Sequence, residues 1–220
     1  MVQLDSDSDE TEEALQAFLE TLDVDEEEKT YFEQMLVSVT KMAEDDADEL
    51  DLKITTNALK ELRYAFSIFR KYDDRPKISV FGSARTDRDH PNYLAAEEFS
   101  SKAADQGYMI VSGAGPGIME AANKGAGAEE SFGLHISLPH EYKPNRYIEG
   151  DEKCIHFRYF FSRKLMFAKE SEAIIYFPGG FGTHDELFEL LCLLQTGGHH
   201  LSPLILCDSN GYWEDFLDHL

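Results

Sequence analysis

The chain has 220 residues, 42% of them hydrophobic, which suits one globular domain or a domain with an appendage. Its 43 Asp and Glu against 20 Lys and Arg give a formal charge of −23, which excludes a general nucleic-acid binder, because phosphate contacts need a basic face. The sequence shows no apolar run of membrane-spanning length, no signal-peptide pattern, and three widely spaced cysteines (Cys154, Cys192, Cys207) without a CxxC, so a reduced, cytoplasmic protein with no membrane partner, no disulfide framework and no zinc site is expected.

The acid is concentrated at the start. Residues 1–51 hold 19 Asp and Glu against Lys29 and Lys41, a net of −17. The first ten residues read as a disordered acidic tip. Apolar positions then recur at helical spacing: Ala14, Leu15, Phe18, Leu19 and Leu22; Tyr31, Phe32, Met35, Leu36, Val39 and Met42; Leu59, Leu62, Phe66 and Phe69. These predict three amphipathic helices whose stripes lie on the main domain or on another subunit. We read residues 1–75 as this acidic, helical extension, with solubility favoured over specific docking as its role, and 76–220 as a Rossmann-like nucleotide-binding domain.

From Lys77 the pattern alternates. Ile78–Phe81 is a predicted strand, followed by a helix through Ala95–Ala103 that stops at Gly107. Tyr108–Val111, Gly133–Leu138, a short Cys154–Phe157, Ala173–Phe177 and Pro203–Cys207 are the further strands. Helices are predicted at Ile118–Asn123, from about Arg158 to Lys169, and through Leu187–Leu194, closed by Gly197-Gly198. Alternation of this kind makes an α/β fold: a Rossmann-like, doubly wound parallel sheet with helices on both faces.

Three glycine-rich turns each follow a predicted strand: Phe81-Gly-Ser-Ala-Arg85, Ser112-Gly-Ala-Gly-Pro-Gly117 and Pro178-Gly-Gly-Phe-Gly-Thr183. In an open parallel sheet such strand ends share one edge, where ligands bind. Glycine lets backbone N–H groups approach a ligand, and a helix start favours an anion, so a phosphate-bearing small molecule is expected. The dinucleotide fingerprint fails, because Ile118 stands where its third glycine belongs. The P-loop also fails, since no Gly-Lys-Ser/Thr closes either loop. Hydride transfer and nucleoside triphosphate hydrolysis are therefore poor expectations.

The stretch Pro178–Glu186, PGGFGTHDE, resembles the PGGxGTxxE signature of the LOG family, the cytokinin riboside 5′-monophosphate phosphoribohydrolases. Ser162-Arg163-Lys164 resembles that family's Arg-Lys pair at the usual interval. FGSAR, SGAGPGIMEAAN, SFGLHISLP and NRYI resemble its longer, type-II-like bacterial branch, and the likeness covers roughly Lys53 to Leu220. The family has also carried the label lysine decarboxylase, but no pyridoxal-binding signature here supports that activity. The resemblance implies hydrolysis of a nucleoside 5′-monophosphate, AMP or an N6-modified AMP, to free base and ribose 5-phosphate. It needs no cofactor or metal and takes place in a homodimer or larger homo-oligomer. It implies Arg163 and Glu186 as catalytic residues. Gly179, Gly180, Gly182 and Thr183 would hold the phosphate, with Lys164 and Glu141 as further substrate contacts and Ser83 and Gly115 on the same edge. A non-catalytic nucleotide-binding protein using the same loops is the alternative. Because the longer branch continues past Leu220, a chain truncated at its C-terminus is expected.

Bland readings stand beside these. Thr183-x-x-Glu186 alone reads as a capping box. Arg163 and Lys164 alone read as a solvated helix face, and Glu120 either binds substrate or favours a first helical turn. His199-His200 lacks a third ligand by spacing. Ser83 lacks a GxSxG setting, and Tyr159, Phe160 and Phe161 read as core or subunit interface.

Overall fold

The computed structural model describes residues 9–136, 143–197, 203–207 and 210–219. The chain divides into two compact units, Met1–Thr56 and Asn57–Leu220. In the first, α1 (Asp9–Leu19) and α2 (Glu26–Glu44) are joined by a Gln16–Glu33 hydrogen bond of 3.2 Å. Asp25 starts α2 with a reciprocal capping box: its carboxylate accepts from the Glu28 N–H, and the Glu28 carboxylate accepts from the Asp25 N–H. Three acidic residues in that first turn suit the positive end of the helix. Of the acidic tip, only Asp9 and Glu10 fall within the described residues, at the start of α1.

Helix α3 (Glu49–Phe69) begins in the first unit and ends in the second. The second unit continues with β1 (Lys77–Phe81), α4 (Pro91–Asp105), β2 (Met109–Ser112), α5 (Ile118–Ala126), β3 (Ser131–Ile136) and β4 (Cys154–Phe157). It then runs through α6 (Phe160–Glu170), β5 (Ala173–Tyr176), α7 (Phe181–Thr196), β6 (Leu204–Leu206) and α8 (Glu214–His219). The strands form one parallel sheet in the order β4-β3-β2-β1-β5-β6.

The predicted α/β, Rossmann-like doubly wound sheet is therefore the observed fold. The side chains show both faces covered. Met109, Val111, Ile174 and Tyr176 point into one core with Ala65, Ile68, Phe69, Met166, Phe167, Leu187 and Leu190. Ile78, Val80, Ile110 and Ile175 point into the other with Tyr93, Ala96, Ile118 and Ala122. Burial on both faces explains why β1 and β2 read as continuous apolar runs rather than alternating ones. Part of the apolar stripe of the third predicted helix is covered here: Phe69 is buried and Leu62 and Phe66 pack against the same core, whereas Leu59 is exposed. The predicted strand Gly133–Leu138 starts two residues earlier, at Ser131, and its last two positions lie outside the described residues.

Strand order reverses between β1 and β5, which are paired through Phe81 and Tyr176. That reversal opens a crevice at the C-terminal ends of the two strands, the place where open α/β sheets take ligands.

Candidate functional site

The loops after β1 and β5 flank the reversal, and backbone hydrogen bonds lock them together. Ser83 N–H donates to the Pro178 carbonyl at 3.0 Å, and Phe177 N–H donates to the Phe81 carbonyl at 2.8 Å. The third loop joins through the Ile118 N–H, which donates to the Ser83 carbonyl at 3.0 Å. Gly117 makes this approach feasible: its φ is +66°, and a Cβ there would strike the Ser83 carbonyl oxygen. The three predicted turns thus meet on one edge.

The loop before α5 is held from below by two asparagines. Asn145 donates through Nδ2 to the Gly115 carbonyl at 3.1 Å and to Asn123 Oδ1 at 2.9 Å, and its N–H donates to the Ala114 carbonyl at 2.7 Å. Ser112 Oγ donates to Asn123 Oδ1 at 2.7 Å and accepts from the Ala114 N–H. This network keeps Ala114, a non-glycine residue with φ +59°, in its left-handed conformation. Spacing gives no sign of the pairing, since Asn123 and Asn145 are 22 residues apart. Within the first loop, Ser83 Oγ accepts from the Arg85 N–H.

The capping-box reading of Thr183 and Glu186 does not hold. Helix α7 starts at Phe181 with Gly180 as its N-cap, so both residues lie inside the helix. Thr183 packs its Oγ1 against Gly179, leaving no room for a Cβ there, whereas Gly180 and Gly182 face open space. The Gly179 carbonyl accepts from the Tyr212 hydroxyl at 2.5 Å. His184 packs its ring beside Trp213 and Tyr212, so the segment before α8 braces the glycine loop.

Glu186 is buried one turn further along α7. Burial pushes its carboxyl up to about 7, against the downward pull of Arg163 and Lys164; Glu189 and Asp185 add to the rise. Arg163, on α6, is half-buried rather than fully on the solvated face that an Arg-Lys pair alone suggests. Its Nε donates to the Leu134 carbonyl at 2.8 Å, its guanidinium lies over the Phe167 ring, and it fills the space that a Cβ on Gly113 would need. Lys164 bonds Asp185 at 2.8 Å and Glu189 at 2.6 Å. Burial works against its charge, but these two hydrogen bonds leave its pKa raised. It therefore ties α6 to α7.

Glu120 accepts from the Tyr93 hydroxyl at 3.0 Å and pairs with Arg88 at 2.8 Å, a structural tie between α4 and α5. A hollow of about 690 Å³ beside it is lined by Arg85 and Arg88 but also by Asp87, Asp89 and Glu120. Neither Arg163 nor Glu186 lines it, and its opposed charges suit no single anion. The site is better defined by the converging loops and the buried carboxyl. Phe160 and Phe161 are exposed, which removes the core from the two readings of that aromatic cluster. Glu141 and His199-His200 lie outside the described residues. Among the described residues no three His, Cys, Asp or Glu side chains are grouped to hold a metal ion, and no helix is long and apolar enough to cross a membrane.

Fold and site define an open, doubly wound α/β protein with a buried, arginine-flanked carboxyl at the switch point of its sheet. Residues 118–220 match the family model described as "Possible lysine decarboxylase". Two proteins of Oryza sativa subsp. japonica, each named "Probable cytokinin riboside 5'-monophosphate phosphoribohydrolase", are 27% and 32% identical over 147 residues. Each alignment covers 64% of this chain, and the two cover 57% and 61% of the relatives, so the chain spans about three-fifths of their length. These matches agree with the resemblance of its motifs to the LOG family. The solved structure of DNA processing protein A from Helicobacter pylori shares the fold, with a TM-score of 0.50 at 15% identity, covering 66% of this chain and 74% of that one.

Proposed function

We propose that the chain hydrolyses the N-glycosidic bond of a nucleoside 5′-monophosphate, AMP or an N6-modified AMP such as a cytokinin riboside monophosphate. The observation that carries this reading is Glu186: a carboxyl buried beside Arg163, just inside the helix that the open glycine loop begins. In the proposed reaction the 5′-phosphate sits against Gly179, Gly180, Gly182 and Thr183 at the start of α7, where free N–H groups and the helix dipole favour it. The anchored phosphate then holds the ribose toward Glu186. As the bond from C1′ to the base nitrogen breaks, the sugar acquires oxocarbenium character, and the Glu186 carboxylate stabilises that charge or orients the attacking water. Water oxygen bonds to C1′, its proton passes to the leaving base, and Arg163 acts beside the sugar or base. Ser83 and Gly115 line the same edge.

The same reading takes the protein to be cytoplasmic and homodimeric. The exposure of Phe161, Leu165 and Phe188 on α6 and α7 supports an apolar contact between two copies beside the site. Chromatography after incubation with AMP, CMP and N6-isopentenyl-AMP tests the function. Release of free base that disappears in Glu186→Gln is expected. Tight AMP binding without release would favour the binding-protein alternative.

A further inference from the structure

Helix α6, which carries Arg163, has no capping side chain of its own: its N-cap is Tyr159, and the Arg163 N–H reaches the Tyr159 carbonyl only at 3.4 Å. A helix start with orphan N–H groups needs an acceptor. A carboxylate on α3 instead holds the residues that lead into this turn and the Ser162 hydroxyl within it. Glu61 Oε1 accepts from the Arg158 N–H at 2.9 Å, and Glu61 Oε2 accepts from the Ser162 hydroxyl at 2.8 Å and the Tyr159 N–H at 3.5 Å. The carboxylate thus stands at the positive end of α6, nearly one hundred residues away in sequence. It is itself held firmly, because Ala65, Ile68 and Phe69 lie on the same helical face and are buried in the sheet core.

Resting on the hydrolase reading above, we propose that Glu61 is a positioning residue for that reaction: it fixes the first turn of α6 and so aims Arg163. The side chain of Arg163 has little latitude, being bonded to the Leu134 carbonyl and seated against Gly113. A small shift of the helix start moves the guanidinium off both. The glycine loop, α7 and Glu186 make no contact with Glu61 in these bonds, so phosphate binding is spared while the chemical step suffers. A residue of the N-terminal helical extension thereby serves the site through Arg163.

The test is steady-state kinetics on AMP with hydrogen exchange of the amides, for the full chain, Glu61→Gln, Ser162→Ala and a control, Glu152→Gln, whose carboxylate bonds exposed Lys71 and half-buried Tyr72 away from α6. Glu61→Gln keeps shape but turns an N–H₂ donor toward donors. The expected result is a kcat roughly 10- to 100-fold lower, as misplaced catalytic groups give, with KM changed by less than about twofold. Amides 158–163 should exchange faster while those of β1 do not. Ser162→Ala should show the same split at smaller size, and Glu152→Gln should match the unaltered chain. Full kcat in Glu61→Gln, or unchanged exchange at 158–163, overturns the positioning role alone. No base release from the unaltered chain overturns the hydrolase reading and this role with it.

Discussion

Replacing Glu186 by Gln should abolish base release and at the same time stabilise the fold at neutral to alkaline pH. The carboxyl ordinarily titrates at 4.5 and is raised by burial to about 7 in the folded chain. A raised value means that the native state holds its proton longer than the unfolded chain does. Stability from this group is fully present below 4.5 and is lost as pH rises to about 7, above which the buried carboxylate carries its whole cost. At ~1.4 kcal/mol for each pH unit, that cost is about 3 kcal/mol. A neutral glutamine avoids it, so at pH 8 the variant should melt roughly 6 to 12 °C higher, using ~2–4 °C per kcal/mol for a chain of this size. At pH 5 most of the cost has not yet accrued, and the gain should shrink to about 1 kcal/mol. Thermal melts of both forms at the two pH values measure this. A stabilisation that is absent at pH 8, or equal at pH 5 and pH 8, would refute the burial argument. Such a site gives up stability for function, the usual mark of a working buried carboxyl.

Other outcomes follow from the same geometry. If the Glu186 carboxylate is the working form, kcat/KM should rise with pH and level off above its value of about 7; a flat profile between pH 5.5 and 8 would count against it. Arg163 pulls that carboxyl down, so Arg163→Gln should lower kcat and move the midpoint of whatever activity survives to higher pH. Gly180 has ordinary extended backbone and open space around it, so Gly180→Ala should leave the melting temperature within about 2 °C yet raise KM for AMP at least tenfold by crowding the phosphate. Asn145→Ala removes a buried donor from both Asn123 and the Gly115 carbonyl, and should cost about 2 kcal/mol in urea unfolding.

Much of this architecture is legible in the residues because both signals are local. Apolar runs such as Ala173–Tyr176 and glycine turns such as Gly113–Gly117 announce strand ends without any tertiary knowledge, and their alternation with helical stripes implies a parallel sheet. Arg163 and Glu186 were legible only through the spacing of family motifs, since Arg-Lys alone reads as surface and Thr183-x-x-Glu186 alone reads as a cap. The structure separates those readings by where α7 begins: a helix starting at Phe181 leaves Thr183 nothing to cap. What spacing could not show is any tie made across the sheet. The Asn123–Asn145 bond, the Tyr212 hydroxyl on the Gly179 carbonyl, and Glu61 at the start of α6 each join segments at least 22 residues apart through one or two polar atoms. No periodicity records such pairs. The commitment of Lys164 to Asp185 and Glu189 is hidden for the same reason: alone it reads as a solvated face, and only the family resemblance assigns that ammonium to substrate.

In the proposed reaction the phosphate is the handle and the glycosidic bond is the one broken. The direct test is a product balance on AMP, quantifying adenine, ribose 5-phosphate, adenosine and inorganic phosphate in one reaction. Adenine and ribose 5-phosphate in equal amounts, with no adenosine or free phosphate and with both products lost in Glu186→Gln, is the predicted result. Adenosine with inorganic phosphate, or unchanged AMP bound to a folded protein, would contradict it.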